Sequence, residues 1–167
     1  MAKGTMTRRR GREIALQVLC MLERQPDLST PLAIYLYFSQ LQSSDGEADP
    51  MDGAPSTNNK EFVEELVSGV RQSMARIDAL IGRSSQKWRL SRMSVPDRNV
   101  LRLACFELLQ CPDIPHRVVC AEAIDIARRF GTGDSATFVS GVLERAMAEA
   151  RPSADKTAVS DEKNASA

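Results

Sequence analysis

At 167 residues, 43% of them hydrophobic, the chain is long enough for one domain with a buried core and too short for two large ones. Its formal net charge of zero hides an uneven distribution: Lys3, Arg8, Arg9, Arg10 and Arg12 precede the first acid, Glu13, so the first twelve residues carry +5 and the remainder −5. No apolar run approaches the roughly 18 residues of a membrane span. The basic start leads into an amphipathic stretch interrupted by Gln17 rather than into a secretory signal. These features exclude membrane and secretory classes and imply a cytoplasmic protein.

In chain order, residues 1–7 lack apolar periodicity and are expected to form a flexible basic arm. Ile14, Val18, Leu19 and Leu22 then share one face of a helix from Arg8 to Arg24. Ser29 or Thr30 as N-cap, with Pro31 just inside, opens a second helix whose stripe is Leu32, Tyr35, Phe38 and Leu41. Residues 43–59, rich in Ser, Asp, Gly and Pro, read as a mobile loop. Periodicity returns at Phe62, Leu66, Val67, Val70, Met74, Ile77 and Ile81, which predicts one helix of about six turns stopped at Gly82. Trp88 and Leu90 lie in a short segment in which the indole is expected to anchor the core.

Pro96 opens a helix carrying Val100, Leu101, Ala104 and Leu108, broken at residues 111–115. Val118, Ile124, Ala127 and Phe130 mark the next, closed by Gly131, and Glu122 and Asp125 with Arg128 and Arg129 read as intrahelical ion pairs on its solvated face. Asp134 or Ser135 caps a last helix with Phe138, Val139, Val142, Leu143 and Met147, and residues 151–167 read as a disordered tail. About seven helices and no strand predict an all-α, compact bundle over residues 8–150.

An enzyme needs a nucleophile, a tuned acid or base, or a metal gathered in one pocket, and none assembles here. Cys20, Cys105, Cys111 and Cys120 lack metal-site spacing and read as reduced, mostly buried thiols, and the single histidine, His116, sits beside a proline at a predicted helix start, where a solvated or capping role is commoner than catalysis. Residues 131–135 are glycine-containing but lack the lysine and preceding strand of a nucleotide loop. No cofactor is implied. What the chain does offer is the cluster Arg8, Arg9, Arg10 and Arg12, planar donors suited to phosphates, with DNA, RNA or an acidic protein all open as partners.

Four segments carry a more specific signal: RRRGREIALQVL (8–19), VPDRNVLRLACFELL (95–109), DIPHRVVCAEAIDIARRFG (113–131) and DSATFVSGVLERA (134–146). In order and spacing they resemble the NusB family of transcription antitermination factors. The resemblance implies two packed helical subdomains and a non-enzymatic factor that pairs with the small-subunit ribosomal protein NusE. The pair would bind the single-stranded boxA element of nascent RNA and, with other Nus factors and RNA polymerase, promote read-through, notably in ribosomal RNA operons. Carried over by position, Arg8, Arg9, Arg10 and Arg12 would contact RNA from one side, and Asp134, Ser135 and Phe138 from the last helix.

An aromatic ring at position 138 can stack on an unpaired base or pack in the core. Asp97 holds the family's acidic position facing a basic partner side chain, or simply favours its helix dipole. Cys20, where the family often has an aromatic, falls at the partner surface, and Ala121 and Ser140 replace asparagines. Monomer and homodimer both remain open. Two rivals compete: the N-terminal RNA-binding module of ribosomal RNA cytosine methyltransferases, which a further α/β domain would accompany, and a helical scaffold that binds no nucleic acid.

Overall fold

A computed structural model describes residues 7–43 and 57–150. Among these the secondary structure is helical throughout: α1 (Arg8–Arg24), α2 (Thr30–Ser43), α3 (Thr57–Gln72), α4 (Met74–Ser84), a 3-10 turn (Leu90–Arg92), α5 (Val95–Gln110), α6 (His116–Phe130) and α7 (Ser135–Ala150). The expected all-α bundle of about seven helices is therefore present. The N-terminal arm, most of the expected loop and the tail lie outside the described residues; Thr57 already belongs to α3, so the predicted loop ends earlier than residue 59.

Local chemistry sets the helix ends. Thr7 caps α1, its hydroxyl accepting from the Arg10 N–H at 3.2 Å. Ser94 caps α5 in the same way, accepting from the Asp97 N–H at 3.2 Å, with Pro96 in the first turn where its missing N–H costs nothing. Helix α5 is the centre of the bundle: it touches α1 and α3 on one side and α4, α6 and α7 on the other. Its buried residues accordingly run around much of its circumference, from Val100 and Leu101 to Leu103, Ala104, Cys105 and Leu108. The layer α1–α3 and the layer α4–α7 are the two packed subdomains that the resemblance implies.

Several sequence expectations are corrected. The single six-turn helix is two, broken at Ser73, whose φ of −101° and ψ of 11° leave the helical region; α3 packs on α1 while α4 turns to pack on α7. The break carries no Gly or Pro, so the apolar spacing runs straight through it. Helix α4 also passes Gly82 and ends at Ser84.

Stripes turn as well. In α2, Ala33, Ile34 and Phe38 are buried while Leu32 and Tyr35 are exposed; in α6, Val119, Ala123, Ile126 and Ala127 are buried while Val118 is exposed. Both helices carry more apolar residues than one face holds, so spacing alone leaves the buried face open. Trp88 is not a core anchor: it is 54% exposed, projected by a turn in which Ser85 Oγ donates to the Trp88 carbonyl at 2.8 Å. Of the four free thiols only Cys105 is buried; Cys20, Cys111 and Cys120 are half-buried.

Candidate nucleic-acid and partner interface

The arginines at the head of α1 meet different environments because a helix turns about 100° per residue. Arg8 is exposed, its guanidinium 4.5 Å over the Phe62 ring of α3. That ring lies against α1 at Gly11, where a Cβ would come within 2.5 Å of Phe62 Cδ1. Arg9 reaches α6, donating from Nε and Nη2 to the Glu122 carboxylate at 3.0 and 2.8 Å and from Nη2 to Asp125 at 2.9 Å. Arg10, half-buried, donates to Glu13 at 3.2 Å, and Glu13 also accepts from Arg129 at 2.9 Å. The hydrogen bond and charge of Glu122 raise the Arg9 pKa, and those of Arg9 hold the Glu122 carboxyl below its ordinary value.

Arg12 departs from the expected surface donor. It is 6% exposed and donates from Nε to both Glu107 oxygens at 3.0 Å, inside the contact of α1 with α5. Facing α5, it ties the two layers together, and no surface is left for a phosphate to reach. The intrahelical pairing expected in α6 is likewise only partial: Arg128 pairs with Asp125 at 2.9 Å, but Glu122 and Arg129 turn to α1.

The Glu13–Arg129 pair joins the head of α1 to the last turn of α6, and the following loop delivers the start of α7. There Asp134 is exposed and its carbonyl accepts from the Phe138 N–H at 3.0 Å. Ser135 is 1% exposed and its Oγ accepts from the Thr132 N–H at 2.8 Å, so it shapes the loop from within instead of facing a ligand. Gly131 is extended, at φ −95°, and glycine is required there by proximity, since a Cβ would lie 2.7 Å from the Ala127 carbonyl. Phe138 is half-buried, between the two roles its spacing allows.

Asp97, expected to face a basic partner side chain, is only 9% exposed. The Ser94–Asp97 pair has capping-box spacing, yet only the half in which the Ser94 hydroxyl accepts from the Asp97 N–H forms: Asp97 Oδ1 is buried with no hydrogen-bond partner. It lines a cleft of about 530 Å³ with Trp88, Arg92, Asp134, Thr137 and Phe138. Residues assigned from sequence to two different partners thus share one cleft, and Trp88 and Arg92, which the sequence reading missed, complete it. An exposed tryptophan leaves no periodic signal. Cys20 lines a second cleft, of about 380 Å³, with Leu16, Met21, Tyr37, Pro96 and Phe130; burial pushes its thiol pKa up to about 11. Pro96 and Asp97 therefore place the head of α5 between the two clefts.

Among the described residues no helix is long and apolar enough to cross a membrane, and no group of three His, Cys, Asp or Glu could hold a metal ion.

The sequence profile of the NusB family matches residues 9–148. The transcription antitermination protein NusB of Geobacter sp. (strain M21) is 44% identical over 142 residues, 83% of this chain and 92% of that protein. That of Myxococcus xanthus is 44% identical over 138 residues, with the same coverage. Among solved structures, T. maritima NusB superposes with a TM-score of 0.67 at 36% identity, over 87% of this chain and 94% of that one. A structure of the antitermination factors NusB and NusE in complex with dsRNA shares the fold, with a TM-score of 0.66 at 19% identity over 85% and 96% of the two chains. The continuous profile match and relatives of this identity settle the membership, and with it the non-enzymatic reading: the chain belongs to the NusB family of transcription antitermination proteins.

Proposed function

We propose that the protein binds single-stranded boxA RNA together with the ribosomal protein NusE and promotes read-through by RNA polymerase, notably in ribosomal RNA operons, with other Nus factors in the cytoplasm. The observation that carries this reading is the placement of Arg8, Arg9 and Arg10 at the head of α1, linked through Glu13 and Arg129 to the loop that presents Asp134 and Phe138. Guanidinium groups at one end of such a strip suit phosphates, and a half-buried aromatic at the other suits an unpaired base. Arg12 and Ser135 support the strip from beneath as positioning residues.

The NusE contact is assigned to the two clefts that flank the head of α5, at Asp97 and Cys20. The larger cleft bears Asp97 and Asp134 against Arg92, beside the exposed Trp88 ring. Two carboxylates against one guanidinium favour a cation over a phosphate, and the Trp88 face favours it further. A basic side chain of the protein partner fits this balance.

Filter binding of a short boxA-like RNA, with and without NusE, tests the proposal. Binding that tightens when NusE is added is expected. Retention of NusE with no RNA binding under either condition would leave a protein-interaction scaffold.

A further inference from the structure

The ion pairs at the head of α1 are not explained by RNA binding. Arg9 gives its Nε hydrogen and one Nη2 hydrogen to the two oxygens of Glu122, and Nη2 also donates to Asp125. A guanidinium grips a phosphate best through two parallel N–H groups along one edge. Each edge that includes Nη2 is already committed to a carboxylate, so in the free protein Arg9 offers a strand only Nη1. Glu122 and Asp125 stand on α6, more than a hundred residues from Arg9 in sequence, so the pairing is made by the fold.

We propose that Glu122 and Asp125 are internal competitors for RNA phosphate and set the selectivity of the RNA site: they hold Arg9 in the free protein and yield it only to a strand anchored elsewhere on the same surface. The inference rests on the RNA-binding reading above. A tethered carboxylate competes at high effective concentration, which an isolated phosphate meets poorly. A strand already seated at Arg8 or Phe138 presents its phosphate at comparable effective concentration and can displace it.

The exchange leaves neither carboxylate stranded. Glu122 lies 3.9 Å from Arg12 Nη1, and Asp125 keeps Arg128 Nη1 at 2.9 Å. Arg9 is half exposed and can swing outward, whereas Arg12 is buried and cannot follow it. Two states are thus available to Arg9, one on α6 and one on RNA.

The test is a thermodynamic cycle read by fluorescence polarisation with a labelled boxA-like single strand and a scrambled strand of equal length. The Glu122→Gln/Asp125→Asn protein is expected to bind the scrambled strand about tenfold more tightly, the equivalent of one charge-assisted contact, and the boxA-like strand by a smaller factor, so that selectivity narrows. For the scrambled strand the slope of log affinity against log salt should steepen by about 0.7 as one more phosphate is engaged. Adding Arg9→Gln should abolish the gain. Glu122→Asp, which keeps the charge but shortens its reach, should give part of it, and thermal melts confirm that each variant is folded.

Unchanged or weaker RNA binding by the carboxylate variants would show that Glu122 and Asp125 brace Arg9 and do not compete, overturning the proposal. A gain that survives Arg9→Gln would reduce it to general charge and overturn it equally. If Arg8→Gln, Arg9→Gln and Arg10→Gln all bind RNA as the wild type does, the RNA reading of this helix end fails first, an outcome distinct from the other two.

Discussion

Asp97 lies in the first turn of α5, where its charge suits the helix dipole, but its burial carries a cost. Its Oδ1 is sequestered from water without a hydrogen bond, and an unsatisfied buried polar group costs about 1–3 kcal/mol. Asp97→Asn keeps an oxygen at that position and removes a charge that is both buried and attracted to the helix dipole, so the thermal melt is expected to change little. The same change should weaken NusE binding tenfold or more, because a charged interface pair loses about 2–5 kcal/mol when one partner is truncated. Calorimetry against NusE and a melt in parallel check both; a lowered melt with unchanged affinity would make Asp97 structural. Trp88, the single tryptophan of the chain, separates similar alternatives. Trp88→Leu should leave stability within about 0.5 kcal/mol, as at other exposed positions, where a core indole would cost about 3–5 kcal/mol on truncation. NusE affinity should fall about fivefold, the worth of one cation–π contact.

Between elements, the contact of α1 with α5 and α6 rests on charges that sequence alone assigned to RNA. Arg12→Gln leaves Glu107, 2% exposed, as a buried charge without its guanidinium, and a loss of about 3–5 kcal/mol is expected by denaturant unfolding. Arg12→Met with Glu107→Leu should recover most of it, since the uncompensated charge is then gone. The Arg9–Glu122 pair is exposed on its arginine side and carries a pH signature instead. Arg9 lowers the Glu122 pKa in the folded state, so the stability it contributes is present above the ordinary carboxylate range and lost as pH falls through the lowered value. Wild type and Arg9→Gln should therefore differ in melting temperature at neutral pH and converge as acid protonates Glu122. Curves that stay apart by a constant amount at all pH values would show that Arg9 acts by packing.

At the scale of the whole molecule, the basic end and the two clefts are a property of the assembled bundle. Replacing Arg8, Arg9 and Arg10 together by Gln should lower the slope of log RNA affinity against log salt by about 2, from roughly 0.7 per phosphate contact on a single strand. The slope staying at its wild-type value, with circular dichroism unchanged, would leave RNA recognition to the α7 end alone. The sequence by itself determined the helical class and most helix ends, because capping residues, prolines and apolar spacing are local and need no knowledge of the rest of the chain, and its four motif segments carried the resemblance to the family. It also placed four arginines in one segment, Arg8 to Arg12. Only the tertiary structure decided that Arg12 lies buried on Glu107, that Arg9 is held by α6, that Ser73 divides a continuous apolar stripe and that Trp88 faces solvent. The two arginine pairings depend on which side chains α5 and α6 bring up from about a hundred residues away, and a charge in sequence carries no mark of the partner that packing will give it.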